Sequence, residues 1–325
     1  MGGGGIWAKY VNDFKARVIA DGGTMESPSC AKTDVKFLVQ NPEPVAFTGL
    51  LNDYSGAAAA YSLRLLDNTY TGDAIVVRRA SDNTTQAIGF VNNELDTTSL
   101  ESFCSGTDGF VTTWYDQSGN DYNVTQASAS FQPKIVSSGS TIRTNSKPTI
   151  EFNGTSTYLF NANNLVDDAT SAFITTAFST TRSALQYVLE MPRDTGGSRG
   201  FDIRTTSSTN ILSGLLTENP TQSTNAQGTF SNASGNLNLV MASFDEAIAT
   251  NNHQIFGNGS LVGQTTNNGT DIHNKNTGIN LGIFSDDARN GYLLGTISEA
   301  FVYKSNQLAN RSGIETNIND YYSIY

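Results

Sequence analysis

Charge is the first scarcity of this chain. Only 15% of its 325 residues are Asp, Glu, Lys or Arg, and 30 acidic against 19 basic side chains give a formal net charge of -11. Neutralising a phosphate backbone needs clustered Lys and Arg, so the composition argues against nucleic acid as a partner. Cysteine is nearly absent. Two residues, Cys30 and Cys104, cannot build a disulfide framework, and a chain this long buries enough surface not to need one. Two reduced, buried thiols are the expectation, with a Cys30–Cys104 pair as the alternative. The two histidines, His253 and His273, and the lack of any CxxC spacing give no transition-metal constellation. Long apolar runs are missing as well: nothing approaches the roughly 20 residues of a membrane-spanning helix. The opening Met1 to Gly5 lacks the basic and apolar regions of a signal peptide. No fixed-period repeat occurs, which removes solenoids and propellers.

What is abundant is Gly, Ser, Thr and Asn, the makeup of many short strands joined by tight turns. Apolar clusters of strand length recur at 74–78, 109–115, 148–152, 172–178, 237–244 and 278–284. Asn153-Gly154, Asn258-Gly259 and Asn290-Gly291 punctuate them with the positive φ that hairpins require. This pattern predicts an all-β sandwich over 47–325, closed by a strand at 295–303 and a helix at about 309–322. The Asn-rich strip 265–277 reads as a long exposed loop. Residues 1–46 differ. Trp7, Tyr10, Val11, Phe14 and Val18 form one apolar stripe of a helix over 6–20, stopped by Asp21-Gly22-Gly23 and followed by an extended connection carrying three prolines. Such an arm suits docking on a neighbour, or packing on its own sandwich.

The run from Ala57 to Leu66, then Tyr70-Thr71-Gly72, Val77 to Asn83 and Thr113-Trp114-Tyr115-Asp116-Gln117-Ser118-Gly119-Asn120, resembles the catalytic β-sandwich of the α-L-arabinofuranosidase B family. The same domain is similar to one found in bacteriophage virion proteins. The pieces 253–263 and 295–322 are similar to the hairpin, last strand and final helix of concanavalin-like and laminin G-like domains. The resemblance therefore implies a concanavalin-like jelly-roll sandwich with an N-terminal helical arm and a short C-terminal helix. Fold and function remain separate questions.

Glycoside hydrolysis with retention needs two carboxyls about 5 to 5.5 Å apart, one nucleophilic and one acidic. Leu215-Leu216-Thr217-Glu218-Asn219 resembles the family's strand bearing its nucleophilic Glu, and Leu281-Gly282-Ile283-Phe284-Ser285-Asp286 resembles the segment bearing its acid/base Asp. The resemblance thus implies Glu218 and Asp286 as the catalytic pair. The chain departs from the family at several places. The family's vicinal Cys-Cys has no counterpart in Tyr187-Val188-Leu189-Glu190-Met191, Leu216 stands where a sugar-binding Asp is expected, and Phe284-Ser285 replaces two glycines. Phe103-Cys104 resembles the start of a small disulfide loop whose partner place holds Gly109. The Trp114 to Gly119 motif reads first as a side-chain-bonded turn. Oxygen donors in 116–121 or 286–290 could hold Ca²⁺, with a hydrogen-bonded turn as the structural alternative; no cofactor is otherwise implied.

Three functional readings follow. The departures, the missing signal peptide and an arm resembling those of phage structural proteins at Val18 to Pro28 favour a bacteriophage virion protein. It would be a spike, fibre or decoration located on the capsid or tail, attached to other virion proteins through the arm and presenting the sandwich to host-surface glycan, with a trimer expected. The alternatives are a retaining glycosidase using Glu218 and Asp286, and a carbohydrate-binding module without turnover.

Overall fold

The computed structural model describes residues 47–166, 169–192, 199–206, 210–218, 221–229, 235–272, 278–284 and 291–325. The helix expected over 6–20, the extended connection and Cys30 lie outside these residues. The compact unit is Thr48–Tyr325.

The described residues form an all-β sandwich in which 19 strands share one hydrogen-bonded antiparallel network. One layer runs Ser260–Thr265, His253–Gly257, Asn238–Asp245, Ser171–Thr180 and Leu294–Tyr303. Ala57–Ser62 and Ile150–Asn153 share the far edge of the last of these. The other layer runs Thr221–Thr229, Asn210–Glu218, Arg199–Thr205, Gln186–Pro192, Ile279–Leu281 and Leu159–Asn161. Gly109–Trp114, Val124–Thr125 and Lys134–Ser137 join the layers at one side. At the other side the ends nearly meet: a Cβ at Gly228 would lie 2.3 Å from Val262 O, and one at Gly263 2.2 Å from Gln227 O. Only glycine permits that approach.

The long strands of the first layer read as nearly continuous apolar runs because both of their faces are buried. From Ser171–Thr180, Ala172, Ile174 and Phe178 point into the core between the layers, while Phe173 and Ala177 point outward. There the C-terminal helix Arg311–Tyr322 lays Ile314, Ile318 and Tyr322 against Phe173, Met241, Phe301 and Tyr303. Asn258 and Gly259 make the hairpin turn expected of them, with φ of 46° and 81°.

One reading needs revision here. The strip 265–277 is not a wholly exposed loop: Asn267 is buried and exchanges bonds with Asn252, and Ile272 is buried in the core, while 273–277 lie outside the described residues. Cys104 carries a free, buried thiol, as expected of it, and a Cβ at Gly109 would sit 2.7 Å from its sulfur.

Candidate active site

Alternation along the strands of the second layer separates two sets of side chains. Leu189, Phe201, Ile203, Ile211, Leu215 and Ala226 fill the core, so Glu190, Asp202, Arg204, Gly214 and Asn225 face the other way. Register then lines them up. Asn280 pairs with Glu190, Glu190 with Asp202, and Gly214 with Asn225, while the pairing of Phe201 with Leu215 sets Asp202 beside Gly214. A sheet face of this kind is ordinarily solvated, yet Glu190 and Asp202 are both 0% exposed and Arg204 is 2% exposed.

The buried groups bond to one another. Arg204 Nη1 donates to Asp202 Oδ2 at 2.9 Å and to the Tyr187 hydroxyl at 3.4 Å, and Nη2 donates to Asn225 Oδ1 at 2.7 Å. The Gly214 N–H donates to Asp202 Oδ1 at 2.9 Å, and Asn280 Nδ2 donates to Glu190 Oε2 at 3.1 Å. Gly214 is needed for the arrangement: a Cβ there would stand 2.8 Å from Asp202 Oδ2 and 3.0 Å from Arg204 Nη1. Tyr187 stacks on Phe284 with centroids 4.5 Å apart and carries the Arg204 guanidinium 5.6 Å from its ring centre. Exposed Asn225 connects this row to solvent.

Glu218 is on the same strand as Gly214 and faces the same way, four residues on, about 13 Å at 3.3 Å per residue. It is half-buried, and its N–H donates to Asp271 O. Asp286 lies outside the described residues. The chain leading to it ends at Phe284 on Tyr187, and the chain leaving it returns at Gly291, whose carbonyl accepts the Tyr187 N–H. Glu218 thus stands at one end of the face, while Phe284 and Gly291 contact Tyr187 at the other. On the core side of these strands, buried His253 bonds Ser213 Oγ through Nε2 at 2.9 Å and Thr224 Oγ1 through Nδ1 at 3.1 Å.

The Trp114 to Gly119 motif is a folded turn. Asp116 accepts from the N–H groups of Ala60, Ser118 and Tyr122 and from the Ser118 hydroxyl, and Gln117 bonds Ser62 O, Arg64 O and the Leu66 N–H. Its carboxylate is fully engaged in shaping the chain. Among the described residues no three His, Cys, Asp or Glu are grouped to hold a metal ion, and no helix is long and apolar enough to cross a membrane.

Sequence reasoning passed over Glu190, Asp202 and Arg204. The signal was the alternation Leu189-Glu190-Met191 and Phe201-Asp202-Ile203-Arg204, which is indistinguishable from a half-solvated strand until the face is seen to be buried.

Comparison with known proteins agrees with the architecture. Residues 53–168 match the family model described as alpha-L-arabinofuranosidase B, catalytic. An alpha-L-arabinofuranosidase of Hypocrea jecorina is 38% identical over 71 residues, 22% of this chain and 14% of that protein. A crystal structure of an arabinofuranosidase complexed with arabinofuranosyl-alpha-1,2-xylobiose superposes with a TM-score of 0.58 at 19% identity, covering 81% of this chain and 62% of that one. A GH54 α-L-arabinofuranosidase soaked with a cyclic sulfate inhibitor gives the same values. The sandwich is therefore of the arabinofuranosidase B catalytic-domain kind, and the chain spans under two thirds of the length of those structures. The segment matched in sequence holds the Trp114 turn; the strands bearing Glu190, Asp202 and Glu218 lie beyond it.

These matches overturn the reading of the chain as a bacteriophage spike, fibre or decoration. The family model matched, the curated relative and the two structures named above are arabinofuranosidases, and they contradict both the virion function and the capsid or tail location.

Proposed function

We propose that the chain is a retaining glycoside hydrolase acting on α-L-arabinofuranosyl groups. The observation that carries this is the row Asn280, Glu190, Asp202, Arg204 and Asn225 on the outward face of an arabinofuranosidase-like sandwich. Removing such charges from water costs several kcal/mol each, and apolar side chains could cover the face without that cost. Charged groups gathered in this way are a mark of a working site.

The test is release of 4-nitrophenol from a panel of 4-nitrophenyl glycosides. Turnover of the α-L-arabinofuranoside is expected, with little on hexopyranosides. A second reading, a carbohydrate-binding sandwich, draws on the exposed hydroxyls and amides of Thr221, Ser223, Asn225, Gln227 and Thr229 along one strand face. It would give no turnover with any glycoside, together with a rise in melting temperature on adding arabino-oligosaccharide.

A further inference from the structure

We infer that the strand Thr221–Thr229 docks the neutral main chain of a polysaccharide bearing arabinofuranosyl branches; this rests on the glycosidase reading above and names its substrate class. Alternation sorts the side chains of the strand. Thr224 turns inward to His253 and Ala226 into the core, so Thr221, Ser223, Asn225, Gln227 and Thr229 turn outward, and all five are exposed. Together they line about 26 Å of surface at 3.3 Å per residue. The line begins at the candidate site: Thr221 pairs with Glu218, and its hydroxyl donates to the Glu218 carbonyl at 3.2 Å.

Asn225 distinguishes this line from an ordinary solvated strand. Arg204 Nη2 donates to its Oδ1 at 2.7 Å, and Arg204 is itself held through Nη1 by Asp202 Oδ2 at 2.9 Å and by the Tyr187 hydroxyl at 3.4 Å. A buried, anchored guanidinium therefore fixes an amide that stands in solvent. With its oxygen engaged, the Asn225 Nδ2 donates to no acceptor among the described residues, so both of its N–H groups are available to a ligand. Ordering the amide in the free protein removes a cost that binding would otherwise carry.

The chemistry of the line selects its occupant. None of the five outward side chains is charged, although exposed strands are ordinarily guarded by Lys or Glu, and the net charge of -11 repels an acidic polymer. Hydroxyls and amides both donate and accept, as the hydroxyls of a neutral sugar do. Ser223 and Gln227, two residues to either side of Asn225, extend the same bonding to neighbouring sugar units. No aromatic ring stands among the five, so each unit is held weakly and the contacts add along the chain.

The experiment measures kcat/KM on soluble arabinoxylan and on 4-nitrophenyl α-L-arabinofuranoside, which has no main chain. It compares the wild-type chain with Asn225→Ala and with the double variant Ser223→Ala, Gln227→Ala, each checked for a cooperative melt. The ratio of the polymer value to the small-substrate value should fall about tenfold in each variant, chiefly through KM on the polymer. A structural role would lower both values together and leave the ratio where it was. Native gels containing arabinoxylan read the docking without turnover: the wild type should be retarded and both variants less so. If Asn225→Ala does not fold because Arg204 has lost a partner, the double variant decides. An unchanged ratio with equal retardation in an active enzyme overturns the inference and leaves the glycosidase reading intact. A wild type inactive on both substrates overturns that reading, and the gels then decide whether the strand docks the polymer.

Discussion

Replacing Arg64 by methionine should destabilise the fold by about 3–5 kcal/mol, the usual cost of stripping one partner from a buried ion pair. Arg64 follows the strand Ala57–Ser62 and meets Glu299 of Leu294–Tyr303, which is 0% exposed, through a two-pronged contact: Nε to Oε2 and Nη2 to Oε1, both 2.9 Å. Ser62 Oγ donates to the same carboxylate at 3.0 Å, and the guanidinium lies 4.6 Å from the Tyr321 ring centre. One cluster thereby ties an edge strand, a central strand and the C-terminal helix together. Removing Arg64 alone leaves a carboxylate in the interior without its cation. Replacing Glu299 by methionine in the same chain should recover most of the loss, because the stranded charge goes with it. Urea unfolding of the single and double variants checks this. A single-variant loss below about 1 kcal/mol, or no recovery in the double variant, would show that the pair does not act as a unit.

The second large effect is expected in acid. Burial, with the nearby Arg204 charge adding to it, pushes His253 down to about 3 from an ordinary value of 6.5. The unfolded chain therefore binds a proton between these values while the folded chain does not, so stability rises with pH through this window. The contribution is fully present above pH 6.5 and is lost as pH falls toward 3. At 1.36 kcal/mol per unit it is on the order of 5 kcal/mol. Neutral His253 suits its two hydroxyl partners, Ser213 and Thr224, since each hydroxyl can donate or accept. His253→Gln keeps a donor and an acceptor without titrating, and should flatten the fall between pH 6.5 and 4. Guanidinium midpoints for both chains at the two pH values are the measurement. Equal losses in the two would assign the acid sensitivity to other groups.

The elements legible in the sequence were those whose local chemistry and burial agree. Ser171–Thr180 and Leu294–Tyr303 announce themselves as apolar runs because both faces are covered, and Asn258-Gly259 marks its hairpin because the turn needs two positive φ angles. The resemblance between Ala57 and Asn120 located the fold, and the carboxylate of Asp116 explains that motif as a closing turn. Thr221–Thr229 was illegible because a strand of Thr, Gln, Ser and Asn has no apolar face to declare it. Glu190 and Asp202 were illegible for another reason. They are separated in the chain by a connection whose length fixes no register, and only pairing makes them neighbours.

The most direct test of the central claim is the anomeric configuration of the first sugar released from an α-L-arabinofuranoside, followed by proton NMR before mutarotation. The retaining mechanism proposed above predicts α-L-arabinose as the first product, through a covalent intermediate. Initial appearance of the β anomer, or no released arabinose at all, would contradict the account.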